Sequence, residues 1–456
     1  MIRSRRLAFG LATCLALSAC GSEAAPSAAA VSSAGAAKPA SSAGAPASAK
    51  PAGSTPASGQ PIKIGFLHGF TGPSAQQAKD NYDTFNLYLD TIGNSAAGRK
   101  IQVIQADSKA AADTALTKAK ELVENDKVDL LAGMNLSTEC FAVAPYVRDA
   151  KIPLVITDNC AAVRLMTDPR FASPWMVRTS TNGSGAQVLA DYVLKQGITK
   201  ADVVSIDNSG IQESADSFSK TFVERGGTIV QEQHPAFGTN DFGPIIAQLD
   251  QSADAVVVLE PGIDGLRFGE AWGGYGNKKL KVIDVIGGPT NSTNLTQLKD
   301  KTLGFMGQSQ YPPELNNAAA QAWQKAWTPK YPDRTLLGPN TANGWAGAMV
   351  VVAALKAVNG NVEDRQAFMD ALYKTDLDTN KGHLTLDKNH DVVQSAWVFD
   401  VIQGSGGNAQ LHQLLQQDNV ASDTFNSPQD LAKFPFGQLK GKWVGMTKDK
   451  LAELTK

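Results

Sequence analysis

This sequence has no excess of basic residues, and its histidines are not spaced as metal ligands would be. The 42 basic side chains are matched by 44 acidic ones, for a net charge of −2. A nucleic-acid-binding surface requires a basic excess. The five histidines are scattered without the spacing of metal ligands. The sequence therefore predicts no nucleic-acid partner, no metal site and no cofactor.

Catalytic motifs are missing as well. There is no Gly-x-Ser-x-Gly turn, and the Gly72-Pro73-Ser74 turn lacks the Lys-Ser or Lys-Thr ending of a phosphate-binding loop. An enzyme needs a nucleophile with a base, a metal cluster or a phosphate loop. The sequence therefore predicts a binding protein and not an enzyme.

Cysteine is scarce, and two of the four cysteines, Cys14 and Cys20, lie within the first twenty residues. There, basic residues precede an apolar stretch, Leu7 to Leu17, that is too short for a comfortable transmembrane helix. This pattern predicts a secretion signal over residues 1–19. Leu17-Ser18-Ala19-Cys20 resembles the bacterial lipobox, which implies cleavage before Cys20 and lipidation of its sulfur. The alternative is an ordinary cleaved signal with an incidental cysteine.

Bulky apolar side chains are nearly absent from residues 20–60, which are mostly Ala, Ser, Gly and Pro. Such a segment cannot bury enough apolar surface to fold. We expect a disordered tether that spans on the order of 35 Å. The chain is thus predicted to be exported and lipid-anchored on the extracytoplasmic side of a membrane.

From Ile62 onward, short apolar runs alternate with helical stretches. The stretch from Val128 to Asn159 is the clearest case, because two runs rich in Val, Ile and Leu flank a helical segment over Phe141–Asp149. That pattern is typical of buried parallel strands joined by a crossover helix. The alternation repeats after Thr179, and alternation near Lys381 indicates antiparallel strands. The sequence predicts an α/β fold with doubly wound parallel sheets. The tail from residue 411 to 456 is left unassigned.

Small polar residues follow the two strands of the Val128–Asn159 stretch. Ligands of open α/β sheets bind outside the carboxyl ends of the strands, near free helix N–H groups. Ser137 stands where the N-cap of the crossover helix is expected. The residues expected to line a polar cleft are Asn135, Ser137, Thr138, Thr157, Asp158 and Asn159. The alternative is that they only cap helices and form turns.

Several stretches in order resemble the type I periplasmic binding proteins, in the leucine/isoleucine/valine-binding branch of ABC-importer receptors. They cover the chain from residue 61 to about residue 400: Ile62–Gly65, Thr71-Gly72-Pro73, Gly133-x-x-x-Ser137, Ala144-Pro145, Ile152-Pro153-Leu154, Arg178-Thr179, Ala215–Phe218, Gly226-Gly227 and Thr239–Phe242. The resemblance implies two α/β lobes, joined by a three-segment hinge, that close on a small solute. Residues 61–180 plus 311–380 are expected to form lobe 1, and residues 181–310 plus 381–456 lobe 2.

The resemblance also implies positions for the ligand. In lobe 1 it points to Phe70, Ser74 and Gln77, to Ser137 as the residue that binds a ligand carboxylate with Thr138 beside it, and to Thr157 and Asn159 around Asp158. In lobe 2 the candidates are Gly210, Gln212, Gly262 and Asn291.

Two departures from the family pattern concern the ligand. The stretch Asp207–Gln212 has no tyrosine, and Gly287–Ser292 has no acidic residue to meet an α-ammonium group. A buried ammonium without a carboxylate partner is costly. We therefore expect a solute with a carboxylate or amide but no free α-ammonium, such as an aromatic or aliphatic acid. Asp158 is the residue that could supply the missing negative charge.

Two binding functions remain open. One is a monomeric receptor that delivers its solute to ABC permease subunits, and the other is a sensor domain that reports the solute to a signalling partner. The sequence contains no kinase, DNA-binding or transmembrane segment after residue 20, which favours the importer.

Cys140 and Cys160 remain after the leader cysteines are set aside. Cys140 falls in the first turn of the crossover helix and Cys160 just after the next strand. At a strand spacing of about 4.8 Å these places lie side by side. In an exported protein, where disulfides persist, this predicts a disulfide. The alternative is two buried thiols.

Overall fold

The computed structural model describes residues 59–72, 74–160, 163–276, 279–312, 317–334, 338–404, 406–422, 425 and 428–455. The predicted signal, the lipidation site Cys20 and the tether up to residue 58 lie outside these residues. Among the described residues, no helix has both the length and the apolar character needed to cross a bilayer.

The first lobe contains a 6-stranded sheet. Its elements in chain order are β1 (Ile62–His68), α1 (Ala75–Thr91), β2 (Ser95–Ala96), β3 (Arg99–Asp107), α2 (Ala112–Lys120), β4 (Leu130–Gly133), α3 (Ser137–Ala150), β5 (Leu154–Ile156) and β6 (Met176–Arg178). The strand order is β2-β3-β1-β4-β5-β6, and all pairs are parallel except β2 with β3.

The second sheet has 9 strands, most of them in the second lobe. The elements that follow β6 are α4 (Gly183–Lys195), β7 (Lys200–Ser205), α5 (Ser209–Glu224), β8 (Thr228–Gln233), α6 (Gly243–Ala247), β9 (Ala255–Leu259), α7 (Gly262–Tyr275), β10 (Lys281–Asp284), α8 (Ser292–Leu298) and β11 (Met306–Ser309). The chain continues with α9 (Ala318–Lys330), α10 (Pro339–Ala357), α11 (Arg365–Tyr373), β12 (Asp376–Thr379), β13 (Gly382–Leu386), β14 (Val392–Gln403), β15 (Ala409–Ala421), α12 (Pro428–Lys433) and α13 (Lys448–Thr455).

Strands β8, β7, β9, β10 and β11 are parallel neighbours in that order, and β14 joins β11 antiparallel. Strand β13 pairs antiparallel with both β12 and β14, and strand β15 pairs antiparallel with β14. The doubly wound α/β prediction is confirmed, as are the antiparallel strands near Lys381.

Helices cover both faces of the first sheet, which explains why its central strands β1, β4 and β5 are almost entirely buried. On one face Phe66 shares a core with Phe85 of α1 and Val351 of α10. On the other face Leu131 packs with Val143 of α3. Helices α10 and α11 thus return to the first lobe after the second sheet has formed. The residue limits proposed for the two lobes stay a prediction.

Three segments cross between the lobes: residues 179–182 after β6, the segment that starts at residue 310 after β11, and strand β14. Strand β14 runs from one core to the other, because Val392 belongs to the core of the first lobe and Val398 to that of the second.

Buried polar contacts connect the crossings. Arg178 Nε and Nη2 donate to the two carboxylate oxygens of Asp391 at 2.8 Å and 2.5 Å, and both side chains are almost fully buried. Gln394 Nε2 donates to Thr181 O at 3.2 Å. These contacts tie the first crossing to the segment that enters and forms β14.

A second group of contacts surrounds Ser180. Lys381 Nζ donates to Ser180 Oγ at 3.0 Å and to Asn343 Oδ1 at 2.8 Å. Ser180 Oγ also contacts Gln310, in the second crossing. Burial lowers the pKa of Lys381 to about 7. The hinge is therefore a polar network inside the protein and not a loose linker.

The C-terminal segment, which the sequence pattern left unassigned, folds against the second lobe. Phe434, Trp443 and Leu451 are buried in its core. Trp443 Nε1 donates to Asp216 Oδ1 at 2.8 Å, and burial raises the pKa of Asp216 to about 7.

The predicted disulfide between Cys140 and Cys160 is confirmed, with a Cα–Cα distance of 6.3 Å. Both residues are fully buried. The bond joins the first turn of α3 to the loop after β5, and Cys160 N donates to Asn135 O at 2.8 Å. The disulfide therefore fixes two loops at the carboxyl edge of the first sheet.

We predict that Cys140→Ala/Cys160→Ala lowers the free energy of unfolding by about 3 kcal/mol, the value expected for a loop of this length. Urea denaturation monitored by fluorescence measures the change. Wild-type protein with reductant is the matched control and should approach the double variant, whereas an unchanged midpoint under reducing conditions would contradict the prediction.

Candidate functional site

A cavity of about 560 Å³ lies between the two lobes, and both contribute to its walls. The first lobe contributes Ser74, Gln76, Gln77, Asp80, Ala110, Asn135, Leu136, Ser137, Thr138, Asn159, Gly338, Pro339, Asn340 and Thr341. The second contributes Asn208, Gly210, Ile211, Phe237, Pro261, Gly262, Ile263, Leu266, Ile286, Gly287, Asn291, Ser292, Thr293, Asn294 and Gln297, and Asn182 lies at the first crossing.

Most residues predicted from the sequence lie in these walls: Ser74, Gln77, Asn135, Ser137, Thr138, Asn159, Gly210, Gly262 and Asn291. The structure does not bring Phe70, Thr157, Asp158 and Gln212 to the cavity. Whether the lining residues contact a ligand stays a prediction.

Asp158 is directed away from the cavity, into the first lobe. Its fully buried carboxylate accepts hydrogen bonds from Asn340 Nδ2 at 2.7 Å and Asn343 Nδ2 at 3.1 Å. His68 Nε2 lies 3.3 Å from the same carboxylate. Asp158 therefore attaches the start of α10 to the first sheet.

The other three residues are held by partners of their own. Thr157 Oγ1 donates to Asn81 Oδ1 at 2.9 Å. Phe70 packs edge-on against Tyr82, with ring centroids 5.5 Å apart. Gln212 is buried in α5, where its Nε2 lies 3.4 Å from Asp216.

Six helices begin at the cavity, three in each lobe: α1, α3 and α10 in the first, and α5, α7 and α8 in the second. Their cap or first-turn residues line the walls. Each helix N-terminus carries partial positive charge and unpaired N–H groups. The cavity thus attracts negative charge and hydrogen-bond acceptors.

The six N-termini differ in their caps. Asn208 Oδ1 accepts from Gly210 N at 3.0 Å, and Asn291 Oδ1 accepts from Asn294 N at 2.9 Å. The N-cap residues of α1, α3, α7 and α10 supply no side-chain cap. The prediction that Ser137 caps α3 is wrong, because α3 begins at Ser137 and Leu136 is the N-cap residue. Ser137 therefore lies in the first helical turn.

The loop before α3 requires a left-handed backbone. Gly133 has φ of 100° and Met134 has φ of 69°. A Cβ at Gly133 would lie 2.5 Å from Leu67 O, so only glycine fits there. This turn directs Asn135 and Ser137 into the cavity.

Charged side chains are nearly absent from the walls. Among the described lining residues, Asp80 is the only ionisable side chain. It contacts Arg334, which also contacts Asp83, and burial raises the pKa of Asp80 despite this pair. Within the described part of the chain, no group of His, Cys, Asp and Glu residues could hold a metal ion.

Part of the second-lobe wall is apolar. Ile211, Phe237, Ile263 and Leu266 line the cavity there, and we call this set the apolar platform. The rest of the second-lobe wall carries amide and hydroxyl side chains, as does most of the first-lobe wall.

The lobes touch beside the cavity. A Cβ added at Gly210 would lie 2.5 Å from both Cβ and Oγ of Ser137, so α5 and α3 approach within contact distance. Nearby, Arg164 Nε of the first lobe lies 3.0 Å from Glu213 Oε1 of the second, and both side chains are 1% exposed. Burial raises the pKa of the Glu213 carboxyl.

Sequence reasoning missed most of the second-lobe wall. Asn208, Pro261 and Ile286 all follow strands of the second sheet, so the strand-end argument used for Val128–Asn159 would have found them. Gly338 and Pro339 carry a second signal, since proline is favoured at the start of a helix.

Comparison with known proteins agrees with this geometry. Residues 61–408 match the model of the periplasmic binding protein family. The Leu/Ile/Val-binding protein homolog 6 of Brucella melitensis is 25% identical over 76% of this chain and 89% of its own.

Two solved structures are similar over most of the chain. An ABC transporter substrate-binding protein from Sphaerobacter thermophilus has a TM-score of 0.75 and 27% identity, over 80% of this chain and 99% of its own. A solute-binding protein of an ABC transporter from Rhodopseudomonas palustris, solved with 3,4-dihydroxybenzoic acid, has a TM-score of 0.72 and 26% identity, over 79% and 98%. The chain therefore belongs to the type I periplasmic binding proteins, an exported and non-enzymatic family, as a solute-binding protein of an ABC transporter in the leucine/isoleucine/valine-binding branch.

Proposed function

We propose that this protein is the receptor of an ABC importer and that its solute carries a carboxylate or amide without a free α-ammonium group. The observation that carries the proposal is the convergence of six helix N-termini on a cavity whose only ionisable lining residue, among those described, is Asp80. An aromatic or aliphatic acid meets these requirements.

Helix N-termini suit a carboxylate because their N–H groups are aligned donors. Each such interaction contributes roughly 0.3–1 kcal/mol at an exposed site and up to about 2 kcal/mol where water is partly excluded. Ser137 and Thr138 add hydroxyl groups at the first turn of α3, and Asn135 adds an amide. Several weak donors together can replace one cationic side chain.

An α-amino acid fits less well. Its ammonium would need a carboxylate in the cleft, and Asp158, the residue that sequence reasoning named for this role, is occupied by Asn340 and Asn343. Asp80 is paired with Arg334. The Rhodopseudomonas palustris relative holds an aromatic acid, which supports the same choice, although the Brucella melitensis relative carries a Leu/Ile/Val-binding name.

Titration calorimetry tests the ligand class. We expect 3,4-dihydroxybenzoate or benzoate to bind, and leucine and valine to bind at least about 100-fold more weakly, because an unpaired buried ammonium costs several kcal/mol. Asp80→Asn should leave acid binding intact. Asp83→Asn is its matched control, since Asp83 shares Arg334 but is not part of the cavity wall. Tight leucine binding that Asp80→Asn alone abolishes would contradict the proposal.

We expect closure of the lobes to require glycine at residue 210, because a side chain there would meet Ser137. We predict that Gly210→Ala weakens solute binding about tenfold or more, equivalent to at least about 1.4 kcal/mol, because the new Cβ would hold α5 away from Ser137.

Gly274→Ala is the control for this substitution. Gly274 also lies in a helix, but a Cβ there meets no atom within 4 Å. In both variants alanine favours the helix by roughly 0.5–1 kcal/mol, so a loss of affinity confined to Gly210→Ala reports the contact. Equal solute affinities of Gly210→Ala and Gly274→Ala would refute the role of this contact. So would a solute-induced compaction of Gly210→Ala, measured by small-angle scattering, that equals that of the wild type.

We also propose that the receptor is a monomer anchored through lipid on Cys20. The lipobox-like Leu17–Cys20 stretch and the Ala/Ser/Gly/Pro segment behind it support this arrangement. Mass spectrometry of the mature wild-type protein should show an N-terminus at Cys20 that carries a diacylglyceryl group, and fractionation should find the protein with the membranes. An N-terminus at another residue, or an unmodified Cys20 thiol, would argue against the anchor.

A further inference from the structure

The C-terminal segment is attached to the second lobe by a row of buried side chains. We call residues 428–446, together with Phe425, the C-terminal strap. It follows residue 408, the last residue that the family model matches. Gly441 N donates to Glu232 Oε2 of the second lobe at 2.6 Å. The strap side chains that are fully buried in the second-lobe core are Phe425, Phe434, Leu439 and Trp443.

The same strap also contacts the first lobe through Phe436. The ring of Phe436 packs edge-on against Phe141 of α3, with centroids 4.6 Å apart. Phe141 in turn packs against Phe171 of the first lobe at 4.4 Å. Phe436 is only partly buried, although the strap residues on either side of it are fixed in the second-lobe core. Its ring therefore forms an aromatic contact between the lobes.

A second contact between strap and first lobe surrounds Arg164. The guanidinium carbon of Arg164 lies 4.5 Å from the ring centroid of Phe425, and its Nε lies 3.0 Å from Glu213 Oε1. Arg164 N donates to the same oxygen at 3.1 Å. Thr167 Oγ1, also of the first lobe, lies 3.5 Å from Phe425 O. A first-lobe cation thus enters a socket that the strap and α5 form together, and a cation over an aromatic ring is attracted more strongly when water is excluded.

The two sets of contacts differ in what opening would do to them. The buried core contacts and backbone hydrogen bonds of the strap belong to the second lobe, so the strap moves with that lobe. The contacts of Phe436 with Phe141 and of Phe425 with Arg164 join different lobes, so separation of the lobes breaks them. Neither Phe425 nor Phe436 is among the residues that line the cavity. The strap therefore favours the closed form without touching the solute.

We propose that the C-terminal strap is a closure clamp, which holds the first lobe through Phe436 and the Arg164 socket and keeps the lobes together in the absence of solute. The equilibrium between open and closed forms is then determined in part by residues outside the binding site. A solute shifts that equilibrium only by its difference in affinity for the two forms, so the clamp determines the point from which the solute acts.

Hydrogen exchange of the mature, extensively dialysed protein tests the clamp without added solute. In Phe436→Ala we expect amides of residues 137–141 and 209–213 to exchange about three- to tenfold faster, the factor that corresponds to one aromatic pair. These two stretches lie on opposite sides of the contact between α3 and α5, so opening exposes both. Phe436→Leu keeps an apolar side chain at this place and should show a smaller increase.

Val444→Ala is the matched control, because it also shortens an apolar side chain of the strap. Val444 is 43% exposed and forms a bridge with Ile229 of the second lobe. Its variant should exchange like the wild type at both stretches. Amides of β9, in the second-lobe core, should exchange at the wild-type rate in every variant and thereby show that the lobe remains folded.

Each other outcome counts against the clamp. Exchange in Phe436→Ala that equals that of the wild type at both stretches would overturn it. Faster exchange at residues 137–141 alone would indicate local loosening of α3 and no opening, and faster exchange in β9 would indicate unfolding of the lobe. Either result would overturn the clamp too. Because no solute is added, these results do not depend on the proposed ligand class.

Discussion

Parallel strand pairing is the constraint on which the site depends. Two parallel strands cannot be joined by a tight turn, so each connection must cross back over the sheet, usually as a helix. Every crossover helix then begins at the carboxyl edge of its sheet. Because each lobe repeats this arrangement and the two edges face one cavity, α1, α3, α5 and α7 all point their N-termini at the same volume. The favourable environment for an anion therefore follows from the topology of the backbone and not from particular side chains.

The hinge and the lobe contacts determine how firmly that geometry is held. Arg178 and Asp391 are paired with almost no exposure, and such a pair is costly to break because the remaining charge is left buried. Arg164 and Glu213 differ, since they belong to different lobes and can be buried together only when the lobes meet. Desolvation of this pair opposes closure while its attraction favours it, so the balance between open and closed forms is sensitive to the solute.

Sequence reasoning succeeded where local pattern determines the outcome. The buried strands β4 and β5, the loop that carries Asn135 and Ser137, and the pairing of Cys140 with Cys160 all follow from short stretches of the chain. It failed where partners are distant in sequence. Asp158 was assigned to the cleft because it follows a strand, but its partner Asn340 is 182 residues away.

The same limit applies to the second lobe and the C-terminal segment. Trp443 reaches Asp216 over 227 residues, and nothing in the weak periodicity of residues 411–456 indicates that contact. Gly210 was named as a ligand candidate, but the reason for a glycine there was not visible, because its lack of a side chain matters through Ser137 of the other lobe. Contacts between lobes depend on the hinge geometry, which no local pattern encodes.

Among the described lining residues ionisable groups are nearly absent, which is consistent with a receptor that must both capture and release its solute. A lysine or arginine would attract an acid in the open form as well, because a full charge acts over roughly a Debye length of 8–10 Å. Helix N-termini act only within about one turn and are screened by water and salt. The helix N-termini of the two lobes therefore act together only while the lobes enclose the solute. When they separate, water reaches both walls, and the binding energy is lost without any change in protonation.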